Sequence, residues 1–252
     1  MIIWRVVRIL LFFYNKAGAQ NIFMEVGIVI PAYNVGHRLH NVLSKALEYV
    51  QAHRVYVVDD GSTDATAEVA KHYGVVLTRH GTNRGKGEAL KSGFRLVLEN
   101  GLEGIITLDG DGQHDPDYIP DFIRIMEATP CDIVLGVRCF RIGRMPLDRI
   151  FSNLTSSILV SLVVKKWIPD SQSGYRLIRA SVLKEIHLLS SYYEIETELL
   201  IKALWRGSRI SYVPISLVYD DSYSNIRRFV DTKRFCKMVL RLIKDRNLSE
   251  NG

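Results

Sequence analysis

The chain has 252 residues, with 33 lysines and arginines against 27 aspartates and glutamates, which gives a formal net charge of +6. Hydrophobic residues make up 47% and charged residues 24%, a balance that excludes a disordered chain and fits one α/β domain with a large core. The basic excess indicates an anionic partner, such as a nucleotide, a phospholipid surface or a nucleic acid, but does not choose among them.

Residues 1–23 form an apolar segment ahead of the first predicted strand. Arg5 and Arg8 interrupt it, so it falls short of the roughly 20 apolar residues that cross a bilayer and lacks the layout of a signal peptide. Two interpretations stay open. The segment is an interfacial helix with its arginines at the level of the lipid headgroups, or it results from a misassigned start, because Met24 directly precedes the strand.

The first half of the chain alternates apolar strand patterns with helical patterns. Continuous apolar runs predict buried strands at residues 26–30, 55–58, 75–78 and 105–108. Helices are predicted between them, and Gly74 is a suitable residue to end the second helix. This alternation predicts an α/β fold with a Rossmann-like, mostly parallel sheet that is flanked by helices.

Polar side chains follow the end of each of these strands. Ligands of parallel sheets bind beyond the carboxyl ends of the strands, so we expect these side chains to form one site. They are Tyr33 and Asn34, Asp59 and Asp60, Arg84 and Lys86, and Asp109 and Asp111.

The loop after the fourth strand has the pattern of a metal site. Asp109 and Asp111 are one residue apart and Gln113 adds a neutral oxygen, so the loop offers the hard oxygen ligands that Mg²⁺ or Mn²⁺ prefers. The alternative is that aspartate and glycine only form a turn after a strand. Asp115 and Pro116 then predict the start of a helix, with the aspartate as N-cap.

The second half of the chain is less regular. A strand is predicted at residues 132–136 and a helix at 147–167, in which the apolar stretch 158–164 is expected to be a buried face. The polar loop 170–176 is expected to lead directly into another helix. Two short strands are predicted about Pro214.

Basic and apolar residues alternate at helical spacing in the tail, at residues 229–247. We expect one domain at residues 24–222 and a membrane-facing amphipathic tail at 223–252. The alternative is an ordinary helix that packs on the domain and exposes a solvated basic face. The basic residues concerned are Arg227, Arg228, Lys233, Arg234, Lys237, Arg241 and Lys244.

The motifs of the chain, in this order, resemble those of inverting glycosyltransferases of family 2, which have the GT-A fold. Within that family the chain is most similar to the dolichol-phosphate mannosyltransferase and dolichol-phosphate glucosyltransferase-like branch, and the resemblance covers residues 26–242. The matching motifs are Pro-Ala-Tyr-Asn at 31–34, Val-Val-Asp-Asp-Gly-Ser-Thr-Asp at 57–64, Asn-Arg-Gly-Lys-Gly at 83–87, Asp-Gly-Asp-Gly-Gln at 109–113 and Gln-Ser-Gly-Tyr-Arg at 172–176.

The resemblance implies residues for a nucleotide-sugar donor and for a divalent metal ion. Asp109, Asp111 and Gln113 would hold Mg²⁺ or Mn²⁺ against the diphosphate of the donor. A turn or capping role is the alternative for Asp60, and a solvated side chain is the alternative for Lys86. The residues implied in donor binding are Pro31, Tyr33, Asn34, Asp59, Asp60, Lys86 and Asp109.

Catalytic roles fall, by the same resemblance, to Asp111, Arg138 and Arg149, with the two arginines near the acceptor phosphate. The alternative for the arginines is surface charge, and the alternative for Glu196 is an interaction with a helix dipole. The residues implied on the sugar and acceptor side are Asp170, Gln172, Ser173, Glu196 and Arg227.

The resemblance further implies transfer of a sugar from GDP-mannose or a UDP-hexose to a polyprenyl or dolichyl phosphate, with inversion. The enzyme would be peripheral to the cytoplasmic face of the membrane, where a membrane-protein partner is allowed for and no nucleic acid is expected. Because a lipid monophosphate is already mostly ionised, it needs positioning more than a general base. The scattered cysteines Cys131, Cys139 and Cys236 agree with a reduced compartment.

Two other functions stay open. One is a family 2 glycosyltransferase that acts on a saccharide hydroxyl in cell-surface polysaccharide or glycan synthesis, and the other is a non-catalytic nucleotide-sugar-binding protein. The chain also departs from the family pattern in two places. Val35 replaces a frequent glutamate, and Asn225 stands where lysine is frequent, which leaves Arg227 or Arg228 for the diphosphate.

Overall fold

A computed structural model of the chain describes residues 24–138, 147–216 and 228–250, without the side chains of 147–151, 228–229 and 249–250. Within these residues seven strands form one sheet in the order β3-β2-β1-β4-β6-β5-β7. The strands are β1 Val26–Ala32, β2 Val55–Asp59, β3 Val76–Arg79, β4 Gly104–Thr107, β5 Ile133–Arg138, β6 Arg176–Arg179 and β7 Ile210–Ile215.

The first four strands are those that the apolar runs predicted, and they are parallel. β1 pairs with β2 on one side and with β4 on the other, and β3 extends the sheet beyond β2. All residues of β2 and β4 are buried, as expected for central strands that are covered on both faces. The expectation of a mostly parallel α/β sheet is confirmed.

The antiparallel strand β6 was not predicted. It lies between β4 and β5 and runs against both of them, where the sequence pattern predicted a loop that leads directly into a helix. Only four residues long, β6 begins and ends with arginine, a composition that does not indicate a buried strand. Both arginines bond to backbone carbonyls. Arg176 is buried and donates to Ser173 O and Ser171 O, and the half-buried Arg179 donates to the carbonyls of Cys131 at 2.9 Å and Met126 at 3.1 Å.

The prediction of two strands about Pro214 was also wrong for the described residues, where β7 contains that proline within one strand. β7 pairs only with β5 and is therefore at the edge of the sheet. A proline is tolerated there because its missing N–H removes no bond between two strands.

Eight α-helices surround the sheet in the described part of the chain, and most agree with the sequence pattern. Gly74 follows the second helix with φ of 65°, as predicted. Asp115 accepts a bond from Asp117 N and begins the short turn Pro116–Tyr118 ahead of the fourth helix. The helices are α1 Gly36–Ala46, α2 Thr66–His72, α3 Lys86–Glu99, α4 Ile119–Ala128, α5 Leu147–Val164, α6 Ala180–Glu185, α7 Ile195–Trp205 and α8 Arg228–Glu250.

The core has a layer on each face of the sheet. Because side chains alternate along a strand, Ile28 and Ile30 of β1 pack with Leu39 of α1, whereas Val29 packs with Leu90 of α3 on the opposite face. A third apolar cluster joins α5, α7 and α8. This arrangement leaves the loops at the carboxyl ends of β1, β2 and β4 uncovered by the core layers.

The tail belongs to this third cluster. Phe235, Val239 and Leu242 of α8 are buried against α5 and α7, so these side chains follow the packed-helix alternative. The predicted site residue Arg227 and the apolar residues 1–23 lie outside the described residues. In the described part, no helix is both long and apolar enough to cross a bilayer.

Candidate active site

The parallel register brings three of the loops together. Ala32 at the end of β1 is level with Asp59 at the end of β2, and Asp60 N donates to Ala32 O at 2.8 Å. On the other side of β1, Leu108 N donates to Val29 O at 3.1 Å, which ties the start of the aspartate loop to the same strand. The predicted meeting of strand ends at one edge is therefore present.

The first loop is held by the second. Asn34 has φ of 52°, a left-handed conformation that asparagine tolerates. Its N–H donates to Ser62 Oγ at 2.9 Å and its Oδ1 accepts from Thr63 N at 2.9 Å. Asn34 thus fixes the position of Tyr33, which is exposed, and of Pro31, which is half-buried.

Asp59 and Asp60 have different surroundings although they are adjacent. Asp59 is fully buried, its Oδ1 accepts from Ser62 N at 2.8 Å, and its Oδ2 lies 3.1 Å from Arg79 Nε. That second oxygen is buried and has no partner by hydrogen-bond geometry among the described residues, so its interaction within the protein is the ion pair with Arg79.

Asp60 is used within the protein. One carboxylate oxygen accepts from His80 Nδ1 at 2.6 Å, and the other accepts from Gly85 N at 2.7 Å. Arg84 N donates to both oxygens, at 3.0 and 3.1 Å. The turn alternative therefore describes Asp60 better than direct contact with a nucleotide, and its effect is to fix the loop that carries Lys86.

The glycines of that loop serve a close contact with another part of the chain. Gly85 has φ of 101°, and a Cβ at this position would lie 2.4 Å from Ser191 O. A Cβ on Gly87 would lie 2.5 Å from Ser191 C, and Gly87 N donates to Ser191 O at 2.9 Å. Side chains at either position would push the start of α3 away from residues 190–192.

Lys86, the first residue of α3, is the centre of an ionic cluster. Its Nζ lies 2.7 Å from Asp109 Oδ1 and 2.9 Å from Glu196 Oε1. Burial opposes the charged form, but the two carboxylates outweigh it and raise the pKa of Lys86 above its usual value. The solvated alternative for Lys86 and the purely dipolar alternative for Glu196 are therefore both incomplete.

Gly174 is in contact with the whole cluster. A Cβ at this position would lie 2.7 Å from Glu196 Oε1, 3.0 Å from Asp109 Oδ2 and 3.1 Å from Lys86 Nζ. Its carbonyl accepts from Thr107 Oγ1 at 2.6 Å, which ties the loop of residues 170–175 to β4. Gly174 belongs to the Gln-Ser-Gly-Tyr-Arg motif, but the sequence did not indicate a role for it.

The two carboxylates among the predicted metal ligands, Asp109 and Asp111, differ in their ionisation. Burial, and then the charge of Asp109, raise the pKa of Asp111 to about 6, while its Oδ1 accepts from Gln113 N at 3.0 Å. Burial also opposes ionisation of Asp109, but the positive charge of Lys86, with that of Arg138, outweighs it and lowers the pKa of that carboxyl. The two carboxylates are thus close enough to repel each other.

His114 is a further residue of the site that the sequence did not indicate as functional. It is buried, and its Nδ1 lies 3.7 Å from Asp109 Oδ2 without a hydrogen-bond partner among the described residues. Burial lowers the pKa of His114 to about 4, so the ring is neutral near pH 7. The Tyr175 ring lies beside it, with centroids 5.4 Å apart.

Asp109 and Asp111 offer neighbouring carboxylate oxygens to a divalent cation. The two carboxylates are close enough for Asp109 to raise the pKa of Asp111, while the charges of Lys86 and Arg138 act on Asp109. No group of three or more histidine, cysteine, aspartate and glutamate side chains in the described residues has the spacing of a metal site. A metal at Asp109 and Asp111 therefore needs other oxygens, of which Gln113 and the phosphates of a substrate are candidates.

Arg138 and Asp170 form a two-pronged pair. Arg138 Nε donates to Asp170 Oδ2 at 2.6 Å and Nη2 donates to Oδ1 at 2.7 Å, while Asp170 is buried. This geometry is the strong fork between guanidinium and carboxylate. The structure thus joins a residue predicted near the acceptor phosphate to one predicted on the sugar side, and the charge of Arg138 acts on Asp109. Arg149 is in α5, and its side chain is outside the described set.

Arg176 holds the loop of residues 170–175 by hydrogen bonds to two of its backbone carbonyls. It is fully buried, its Nε donates to Ser173 O at 2.8 Å, its Nη2 donates to Ser171 O at 3.0 Å, and its Nη1 donates to Glu196 O. Ser173 is buried with no partner for its Oγ among the described residues, and Gln172 is half-buried. The signal that would have indicated Arg176 is its place at the end of the Gln-Ser-Gly-Tyr-Arg motif.

Comparison with known proteins agrees with this geometry. The family model described as glycosyl transferase family 2 matches residues 27–187. A UDP-N-acetylglucosamine–dolichyl-phosphate N-acetylglucosaminyltransferase from Methanococcus voltae is 31% identical over 222 residues, which cover 79% of this chain and 88% of that protein. An undecaprenyl-phosphate mannosyltransferase from Micrococcus luteus is 31% identical over 207 residues, which cover 77% of this chain and 84% of that protein.

A solved structure has the same fold. Glucosyl-3-phosphoglycerate synthase from Mycobacterium tuberculosis, crystallised with Mn²⁺, UDP-glucose and phosphoglyceric acid, superposes with a TM-score of 0.69 at 18% identity. The match covers 87% of this chain and 79% of that one. At this identity the likeness supports the fold alone, which is the expected GT-A type.

Proposed function

The chain belongs to glycosyl transferase family 2, and we propose that it transfers a sugar from a nucleotide-sugar donor to a polyprenyl or dolichyl phosphate, with inversion. The observation that carries the proposal is the convergence of Asp109, Asp111, Lys86 and Glu196 at the carboxyl edge of the sheet, beside the Arg138–Asp170 pair. The lipid-phosphate acceptors of the two named relatives support the choice of acceptor.

The donor would lie over the ends of β1 and β2. Asp59 would accept from a base N–H or a ribose hydroxyl through Oδ2, the oxygen that is not bonded to Ser62, once Arg79 moves aside. Tyr33 is exposed on the neighbouring loop, which Asn34 holds in place. Asp60 and Asn34 would act through the loop geometry, because their side-chain oxygens already accept bonds within the protein.

Asp109 and Asp111, together with Gln113, would hold Mg²⁺ or Mn²⁺. When bound, the ion would neutralise the charge that develops on the nucleoside diphosphate as it leaves. The neighbouring carboxylates of Asp109 and Asp111 support the assignment, and the Mn²⁺ in the solved structure with the same fold agrees with it. Lys86 would keep Asp109 ionised and oriented toward the site.

The acceptor would approach from the side of Arg138 and the loop of residues 170–175. A phosphate monoester is already an anion near pH 7, so the protein has to position its oxygen rather than remove a proton. Arg138, which Asp170 holds by two hydrogen bonds, would provide positive charge for that phosphate. An oxygen of the phosphate would attack the anomeric carbon, and the bond from that carbon to the nucleoside diphosphate would break.

Such an acceptor is confined to a membrane, so we place the enzyme at the cytoplasmic face, where nucleotide-sugars would be its donors. Cys131 and Cys236, free in the structure, agree with a reduced compartment. A membrane-protein partner remains part of the proposal.

The test is transfer of radiolabel from donor to an organic-soluble product. GDP-mannose, UDP-glucose and UDP-N-acetylglucosamine would be supplied in turn with polyprenyl phosphate and Mn²⁺ or Mg²⁺, and Asp111→Asn would serve as the control. We expect metal-dependent label in the organic phase from one donor and its loss in the variant. Label that appears only on an added saccharide would instead assign a hydroxyl acceptor, and binding of donor without any turnover would assign a non-catalytic protein.

A further inference from the structure

Helix α5 exposes a row of large apolar side chains. Leu154, Ile158 and Leu162 follow each other at intervals of four residues and are 48%, 43% and 70% exposed, so they share one face of the helix. Trp167, just beyond the end of the helix, is 61% exposed. These four residues are called the α5 ridge below. The sequence expectation of a buried face at 158–164 holds only for the opposite side of α5, where Val160 is fully buried.

The charged residues next to the α5 ridge in the sequence are lysines. Lys165 and Lys166 are exposed next to Trp167, and no aspartate or glutamate occurs between residues 152 and 169. Lys165 has φ of 53°, which is uncommon for a residue other than glycine, and Lys166 N bonds back to Ser161 O at 3.1 Å. Helix α5 therefore ends in a tight turn that presents two lysines and a tryptophan together.

The combination of exposed apolar side chains, a tryptophan and two lysines indicates what binds to this surface. Tryptophan and lysine are the residues that settle at the headgroup level of a bilayer, with apolar side chains below them. Lysines near an anionic lipid surface add attraction, whereas in a symmetric contact between two copies of the chain the same lysines would face each other. The chemistry fits an anionic phospholipid surface better than a second copy.

The inner face of α5 connects the ridge to the active site. Ser161 Oγ accepts from Ile168 N at 2.9 Å, and Ser157 Oγ accepts from Ser171 N at 3.0 Å. These two bonds hold both sides of the segment that contains Asp170 and leads to Gln172. The position of the ridge therefore determines the position of the loop that the proposed function assigns to the acceptor.

We infer that the α5 ridge is the surface by which the protein docks on an anionic phospholipid bilayer, with α5 lying in the headgroup region. This inference rests on the proposed function for its biological purpose, because docking there would bring the loop of residues 170–175 to the depth of a lipid phosphate. It differs from the expectation that the C-terminal tail faces the membrane. Phe235, Val239 and Leu242 of α8 are buried in the domain, whereas Leu240, Ile243 and Leu248 are exposed and form the comparison surface in the first experiment.

The first experiment measures flotation of the full chain with vesicles of phosphatidylcholine and phosphatidylglycerol that contain no polyprenyl phosphate. The variant Leu154→Gln, Ile158→Gln, Leu162→Gln is compared with Leu240→Gln, Ile243→Gln, Leu248→Gln, which changes exposed apolar residues of α8 by the same chemistry. We expect the α5 variant to bind the vesicles at least about tenfold more weakly than the wild type, because the apolar area that it buries in the bilayer is lost. The α8 variant is expected to bind like the wild type.

The second experiment reports on Trp167 itself. Vesicles with brominated acyl chains are expected to quench wild-type fluorescence, and Trp167→Phe to remove part of that quenching. If the α5 variant floats like the wild type and Trp167→Phe leaves the quenching unchanged, the inference is wrong and another segment binds the membrane. A shift from dimer to monomer in the α5 variant, with unchanged flotation, would also overturn it, because the ridge would then join two copies.

A transfer assay separates this inference from the proposed function. With a short, water-soluble polyprenyl phosphate the α5 variant is expected to keep its turnover, and with a long-chain acceptor in vesicles it is expected to lose most of it. If the wild type floats through the ridge but transfers no sugar to either acceptor, the proposed function fails while the docking surface stands. Equal turnover of both proteins on the vesicle-bound acceptor would overturn the docking surface and leave the proposed function intact.

Discussion

Lys86 holds its ammonium 2.7 Å from a carboxylate oxygen of Asp109, and the same nitrogen lies 2.9 Å from Glu196. The pair joins the first residue of α3 to the loop after β4. The parallel sheet brings these two parts of the chain side by side. It means that a residue proposed for the donor and a residue proposed for the metal form one unit. Changes to either are therefore expected to alter both folding and turnover.

Replacement of Lys86 by methionine tests that unit. The variant removes the ammonium that lies between the largely buried carboxylates of Asp109 and Glu196, so we expect a loss of about 3 kcal/mol in the free energy of unfolding in metal-free buffer. Sugar transfer should fall by about 10²–10³-fold, the usual effect of removing one fixed charge from a reaction site. Chemical unfolding and the radiolabel assay measure the two effects.

A matched control is Lys45→Met, because Lys45 pairs with Asp115 and Asp117 at an exposed position. Its expected effect is at most about 1 kcal/mol, with normal turnover. If Mn²⁺ raised the unfolding temperature of neither the wild type nor Lys86→Met, the carboxylates would not be the metal ligands.

Gly174→Ala is expected to remove turnover by filling the site. The new Cβ would lie 2.7 Å from Glu196 Oε1 and 3.0 Å from Asp109 Oδ2, distances that force the cluster apart. We expect transfer to fall by about 10²-fold, because a shift of about 1 Å at reacting groups has effects of that size. Steady-state kinetics measure the change.

The control for this variant is Gly81→Ala, since a Cβ on Gly81 meets no atom within 4 Å. Turnover of Gly81→Ala should equal that of the wild type. Normal transfer by Gly174→Ala would mean that the reacting groups lie elsewhere.

Asp111 gives a prediction for the dependence of stability on pH. Its pKa in the folded protein is about 6, raised from 3.8 by burial and by Asp109, so the folded state keeps this proton to higher pH than the unfolded state. Without metal, the contribution of Asp111 to stability is full below about pH 4 and is lost as pH rises through 6. Between pH 4 and pH 7 the unfolding free energy of the wild type should therefore fall relative to that of Asp111→Asn.

The measurement uses a chelator, because a divalent ion would compete with the proton for the same carboxylate. Added Mn²⁺ should reverse the order of the two proteins at pH 7 by stabilising the wild type alone. A difference that does not change between pH 4 and 7 would contradict the raised pKa.

The fork between Arg138 and Asp170 can be tested by substituting each side. Arg138→Lys keeps the charge but loses the two parallel bonds, and Asp170→Asn keeps the shape but loses the anion. If Asp170 acts by positioning Arg138, both variants should reduce transfer by about 10²-fold, and the double variant should be no worse than either one alone. Independent, multiplying losses would mean that Asp170 touches the substrate directly.

The apolar runs and the chemistry of the strand ends were readable from the sequence. Runs such as 26–30 and 105–108 became β1 and β4 because a short continuous apolar run is buried on both faces as a central parallel strand. The family assignment and the fold are confirmed. The roles of single site residues and the domain boundary at 222 stay predictions. So does the identity of the metal.

Tertiary structure decided how those residues are used. Antiparallel β6 has no long apolar run to indicate it, because its arginines are held by backbone carbonyls distant in the chain: Arg176 donates to Glu196 O, and Arg179 donates to Cys131 O and Met126 O. The pairing of Lys86 with Asp109 and of Arg138 with Asp170 joins residues far apart in the chain, which only the sheet register brings together. Helices α5 and α8 both have apolar residues on two faces, and only their packing with α7 determined that Val160 and Phe235 are buried while Leu162 and Leu240 are exposed. Local pattern determines which residues are able to be buried, but the neighbours that bury them are a property of the whole fold.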